Sequence, residues 1–202
     1  MKLIGTYTSP FVRKVRIVLA EKKIDYEFQI ESPWSADNTI AQSNPLGQIP
    51  VLILDDETPL YDSRVIVEHL DTGTPNNKLM PASGRERILV KRWEALGDAL
   101  CEASVIAFLE GKRKPGEKSE GWIARQRKRI VTTLAAVNAD LGEQPWCTGN
   151  AFSLADIAIG TALDHVTFRH PNLDWRSDNP NLVRLHDKLM QRQSFIDTVP
   201  HD

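Results

Sequence analysis

Cysteine is scarce in this chain: Cys101 and Cys147 are the only two among 202 residues. They stand far apart in no Cys-x-x-Cys spacing, which excludes a disulfide scaffold and a thioredoxin-type redox pair and points to a reducing compartment. No run approaches the ~18 apolar residues of a membrane span, and the start, Met1 to Tyr7, is too short in apolar residues for a signal peptide. The expected location is the cytoplasm, with no membrane partner. A field of one sign is missing too: 25 Lys and Arg against 27 Asp and Glu leave a formal charge of −2. Nucleic acid is therefore not an expected partner. His69, His165, His170, His186 and His201 show no metal-ligand spacing, so no metal is expected. What is present is an ordinary globular composition, 41% hydrophobic and 26% charged, in a length that at ~150 residues per domain suits one large domain or two small ones.

Hydrophobic periodicity divides the chain. Residues 2 to 7 read as a strand that stops at Thr8-Ser9-Pro10, and Phe11, Val15, Val18 and Leu19 then recur at helical spacing. Tyr26 to Ile30 alternates with period two, and Val51 to Leu54 reads as a buried strand joined by a polar turn to Pro59-Leu60-Tyr61. A helix with Val65, Ile66, His69 and Leu70 ends near Gly73. The order β-α-β, then β-β-α, predicts an α+β domain over residues 1–75. Residues 76–84 hold two Asn, Pro81 and Gly84 and read as a linker. From 85 to 202 no convincing strand occurs; four helical patterns, near 85–110, 122–141, 155–168 and 180–190, predict an all-helical domain.

Three places in the first domain bear ligand-ready groups. Ser9-Pro10-Phe11 sets a hydroxyl at a helix N-cap, where unpaired amides and the positive end of the dipole favour an anion. Pro50 precedes an apolar strand, and an extended Ile49 with unpaired N–H and C=O would offer an edge to a peptide-like ligand. Asp62-Ser63 pairs an acid with a hydroxyl at another helix start, able to hold an amine and a carboxylate together. Capping alone explains each serine or acid taken singly; three such places in one small domain favour a ligand.

Ser9-Pro10-Phe11, Asn44-Pro45-Leu46-Gly47-Gln48-Ile49-Pro50-Val51-Leu52, Asp62-Ser63 and the later Gly149 to Asp156 together resemble the cytosolic glutathione S-transferases, with all four blocks in order over the whole chain. The resemblance implies a thioredoxin-like N-terminal domain with the glutathione site and an all-α C-terminal domain supplying most of the second-substrate pocket. It implies that Ser9 hydrogen-bonds the glutathione sulfur, that the Ile49 backbone pairs with the glutathione cysteine beside a cis Pro50, and that Asp62 and Ser63 bind the γ-glutamyl end. Phe11 is placed near the sulfur and Gln48 near the glycyl end. The Ser-Pro-Phe form resembles the tau and omega branches, although omega-type enzymes have Cys where this chain has Ser9, and many relatives have Arg where it has Lys14. A symmetric homodimer is also implied.

The expected function is activation of the glutathione thiol as a thiolate for attack on hydrophobic electrophiles, with glutathione as co-substrate. A glutathione-dependent isomerase of the maleylacetoacetate type, and a non-catalytic binding or regulatory protein on the same scaffold, are the alternatives. Ser153-Leu154-Ala155-Asp156 reads as a capping box with Phe152 as a staple, so Asp156 is a folding residue and not a catalytic one. Lys112-Arg113-Lys114 and Arg125 to Arg129 read as a solvated loop and helix face. Trp93, Phe108, Trp122 and Phe168 read as core.

Overall fold

The computed structural model describes residues 1–202, which divide into two compact units: Met1–Leu79 together with Gln193–Asp202, and Met80–Arg192.

The first unit contains β1 (Lys2–Gly5), α1 (Pro10–Lys22), β2 (Glu27–Ile30), α2 (Ile40–Ser43), β3 (Val51–Ile53), β4 (Pro59–Leu60) and α3 (Ser63–Gly73). The four strands form one sheet in the order β2-β1-β3-β4. β1 and β2 are parallel, joined by α1 as the crossover, while β1 with β3 and β3 with β4 run antiparallel. This is the thioredoxin-like arrangement. Its core is built from the faces that the periodicity marked: Leu3, Val15, Val18, Leu19, Leu52, Ile66 and Leu70 are buried. The one-turn helix α2 lies in the polar stretch where sequence periodicity showed no element; Ile40 anchors it in a cluster with Ile4 and Val51.

The tail Gln193–Asp202, with its short helix α8 (Gln193–Ile196), packs with the first unit and not with the helical one expected over 85–202. The reason is a buried cation. Arg13 on α1 is almost fully enclosed and donates from Nε to Thr198 Oγ1 at 3.3 Å and from Nη2 to the Phe195 carbonyl at 3.3 Å. Its guanidinium also lies 5.6 Å from the Phe195 ring centroid. A charge taken out of water needs such partners, and the tail supplies them. A second buried cation fastens the stretch after α3: Lys22 Nζ is 2.8 Å from Asp71 Oδ1 and 2.8 Å from the Asn76 carbonyl, while Leu79 N–H donates to the same Asp71 oxygen.

The second unit is helical throughout: α4 (Gly84–Gly111), α5 (Glu120–Leu141), α6 (Leu154–Arg169) and α7 (Pro180–Leu189). α6 is apolar on nearly every side and is the most buried of them, as the helix at a bundle centre must be. Asp156 closes its capping box, accepting from Ser153 N–H at 2.8 Å and, with its other oxygen, from Cys147 N–H at 2.7 Å. Phe152 packs edge-on against Trp146. Trp93 is core, as expected, but Trp122 is 43% exposed near the start of α5. No helix is long and apolar enough to cross a membrane.

Candidate functional site

The sheet registers bring the three predicted places to one end of the first unit. Ile4 pairs with Val51, and Leu52 pairs with Leu60. Continuing each ladder sets Gly5 and Asp62 on either side of Pro50, so the segment leading to Ser9, the Ile49-Pro50 bend and the start of α3 leave the sheet at the same edge. Gly5 allows this closeness, since a Cβ there would lie 2.4 Å from Val12 Cγ2; the bare backbone lets the first turn of α1 settle against the strand end.

Ser9 is the N-cap of α1, with Pro10 as the first helical residue. Its Oγ accepts from Val12 N–H at 3.4 Å, the long limit of a hydrogen bond, and its hydroxyl hydrogen has no acceptor within the chain. Phe11 follows, half-buried, on the same turn.

Ile49-Pro50 is a cis peptide. The side chain of Ile49 packs against the cluster of Ile4, Ile40 and Val51, and no intrachain backbone hydrogen bond holds its N–H or C=O. The preceding loop is braced by Asn44, a residue whose role sequence reading missed. Its amide donates to the Gln48 carbonyl at 2.7 Å, and its Oδ1 accepts from Leu46 N–H at 3.0 Å. Gln48 itself is exposed.

Asp62 is the N-cap of α3, its Oδ1 accepting from Arg64 N–H at 2.9 Å. Arg64 was also missed: Nη2 lies 2.8 Å and Nε 3.2 Å from Asp62 Oδ2. Partial burial pushes the Asp62 carboxyl up, but the side chain and amide of Arg64 and the charge of buried Lys14 on α1 outweigh it, and the net shift is downward. Asp62 is thus held ionised. Ser63, the first residue of α3, is buried and its hydroxyl makes no hydrogen bond within the chain. The structure brings Ser9, Ile49, Pro50, Asp62 and Ser63 to one sheet edge, with Phe11 and Gln48 on the adjoining helix turn and loop.

Residues 3–78 match the glutathione S-transferase N-terminal domain, and residues 120–188 the glutathione S-transferase C-terminal domain. The chain is a glutathione S-transferase family member. It is 38% identical over 200 residues to the uncharacterized GST-like protein YibF of Escherichia coli K12, covering 99% of this chain and 98% of that protein. Among solved structures, a glutathione S-transferase from Methylobacillus flagellatus KT with glutathione bound is 44% identical, covers 99% of both chains and superposes with a TM-score of 0.96. One from Methylobacterium radiotolerans JCM 2831, in complex with glutathione sulfonate, is 40% identical, covers 100% of this chain and 95% of that one, and superposes at 0.95.

Proposed function

We propose that this transferase-family chain binds glutathione at the sheet edge of its first unit and activates the thiol for attack on a hydrophobic electrophile. The observation that carries the reading is the juxtaposition of an uncommitted Ser9 hydroxyl with the open Ile49 backbone and the Asp62-Ser63 pair. Each matches one part of the tripeptide: a thiol, a central peptide unit, and an amino-acid end with both charges. The relatives with glutathione or its sulfonate bound support the same ligand.

The chemistry follows from charge. Moving a thiol from a pKa of ~8.5 to ~6.5 requires about 2.7 kcal/mol. A hydrogen bond to a charged group supplies ~1.5–3 kcal/mol, and a helix N-terminus ~0.3–1, up to ~2 when partly buried. Ser9 on α1 provides both. The hydroxyl donates to the sulfur and keeps its own proton; the thiol proton goes to solvent. The sulfur then forms a carbon–sulfur bond to the electrophile, and the leaving group departs with its electron pair. Asp62 pairs with the γ-glutamyl amine, Ser63 and the α3 amides with the neighbouring carboxylate, and the Ile49 N–H and C=O with the cysteinyl unit. Phe11 lies beside the sulfur and Gln48 at the glycyl end. The protein acts as a cytoplasmic homodimer.

The test is retention on immobilised glutathione with elution by free glutathione, followed by conjugation of an aryl halide. Retention and turnover are the expected result. Retention without turnover points to a binding protein, and isomerisation of a maleylacetoacetate-like diketo acid without conjugation points to an isomerase. A folded protein that is not retained overturns the reading.

A further inference from the structure

The turn that carries Ser9 is weakly fastened by its own hydrogen bonds. On the helix side the Ser9 carbonyl accepts from Arg13 N–H at 3.0 Å, the first bond of α1. On the strand side Ser9 N–H reaches the Thr6 carbonyl only at 3.4 Å, and the Thr6 and Thr8 hydroxyls lie 3.2 Å apart. The Ser9 hydroxyl itself takes only the 3.4 Å bond from Val12 N–H. Bonds of that length are at the outer limit of useful geometry, whereas aiming a donor at a reacting atom requires placement within about 0.5 Å. A further constraint on the strand side is needed, and the one large side chain in the turn is Tyr7.

Three partners from three other parts of the first unit meet the Tyr7 ring. His201 stacks on it, with ring centroids 4.5 Å and planes 25° apart. Phe28 on β2 lies tilted against it at 5.0 Å. Arg16 on α1 places its Cζ 4.9 Å from the Tyr7 centroid and 5.3 Å from that of Phe28. Arg16 Nε and Nη1 are enclosed with no hydrogen-bond acceptor, so the two rings are what this part of its charge faces. Leaving buried donors unsatisfied costs stability, and what the arrangement achieves in return is a fixed Tyr7 ring.

His201 is delivered by the segment Gln193–Asp202, which runs back along α1. Ser194 Oγ donates to Glu21 in the last turn of that helix, Phe195 and Thr198 accept from Arg13, and the Asp197 carbonyl accepts from Arg16 Nη2 at 3.3 Å. The segment then reaches the turn before α1, where His201, its Nδ1 3.0 Å from the Val199 carbonyl, meets Tyr7. Arg16 therefore joins the same ring to the same segment. Tyr7 stands two residues before Ser9 in one turn, so whatever fixes its ring fixes the strand side of Ser9.

We propose, on the reading that Ser9 serves the glutathione sulfur, that Tyr7 is a positioning residue for Ser9: its ring, clasped by His201 and Arg16, holds the turn that aims the hydroxyl. The first test is independent of glutathione and measures the nitrogen-15 order parameters of the Thr8 and Ser9 amides in His201→Ala, a substitution at an exposed position. They should fall from a rigid value of about 0.85 toward about 0.6, and recover in His201→Phe, which restores the stack. The second follows catalysis. His201→Ala and Tyr7→Leu should raise the thiolate midpoint of bound glutathione by about half a pH unit and lower kcat about three- to ten-fold, with KM for glutathione within about two-fold. Tyr7→Phe and His201→Phe should match the parent, because the contacts are made through the ring. In a Ser9→Ala background the same substitutions should have no further effect on the midpoint. If Ser9→Ala alone leaves the midpoint in place, the assignment of Ser9 fails and the order parameters decide whether Tyr7 holds the turn. Undiminished order parameters in His201→Ala overturn the proposal. So does loss of turnover in Tyr7→Phe, which would make the phenol hydroxyl itself the reacting group.

Discussion

Arg64 Nη2 stands 2.8 Å from Asp62 Oδ2, so the acid at the start of α3 is both the cap of its helix and the partner of a neighbouring guanidinium. The pairing is half-exposed and adds little stability. Its effect is on protonation, because the side chain and amide of Arg64 hydrogen-bond the carboxylate and keep it charged. Lys14, buried on α1, adds to the same field.

Replacement of Asp62 by Asn should therefore weaken glutathione binding roughly ten-fold while shifting the melting temperature little. Calorimetric titration measures the first and a thermal scan the second. The sign of the pH effect is set by the lowered pKa. The stability that Asp62 contributes is present above the ordinary carboxylate value of about 3.9 and is lost as pH falls through the still lower folded value. Glutathione binding through Asp62 should accordingly persist through mildly acidic pH. Unchanged affinity in Asp62→Asn would remove this residue from the γ-glutamyl end.

Asp156 is the opposite case. It is fully buried, and burial raises its pKa against the hydrogen bonds from Cys147 and Ser153 that lower it. Asp156→Ala leaves two buried amides unsatisfied and should cost about 3 kcal/mol, read as a shifted urea midpoint with an unchanged slope. With a raised folded pKa, the protonation-linked stability is full below about pH 3.9 and is lost as pH rises through the folded value. Asp156→Asn should then be less stable than the parent but show a flatter dependence on pH across that window. Parallel curves for the two proteins would show that the carboxylate does not titrate between them.

Both cysteines are buried. Burial first, and the charge of Asp156 second, hold the Cys147 thiol well above its ordinary pKa. Native protein at pH 8 should give essentially no fast reaction with Ellman's reagent, and two thiols should appear in denaturant. A fast-reacting thiol in the folded protein would contradict the packing around α4 or around the loop before α6.

The parts of this molecule legible from sequence are those written in local patterns. The period-two and helical spacings locate all four strands and the long helices, Ser9 and Asp62 announce themselves as caps, and Ser153 with Asp156 spells a capping box. What was hidden depends on partners distant in the chain or on elements too short to show a period. The four-residue helix α2 is fixed by one buried side chain, Ile40, inside a polar stretch. The tail joins the first unit because Arg13 meets Phe195 and Thr198, more than 180 residues away. Arg64 and Asn44 are a further case: their partners, Asp62 and the Gln48 carbonyl, lie only two and four residues away, but helix and loop positions of this kind carry no spacing that marks them. The basic residues at 112–114 and along 125–129 read as a solvated loop and helix face, and Lys112, Arg113, Lys114, Arg125, Arg127, Lys128 and Arg129 are all exposed.

Ser9→Ala tests the central claim most directly, with the thiolate absorbance of bound glutathione followed against pH in the parent and the variant. Loss of one hydrogen bond to a charged sulfur predicts a midpoint about one to two units higher in the variant, with turnover at neutral pH down roughly ten- to hundred-fold and glutathione affinity within about two-fold. Identical midpoints in the two proteins would contradict a thiolate held by Ser9.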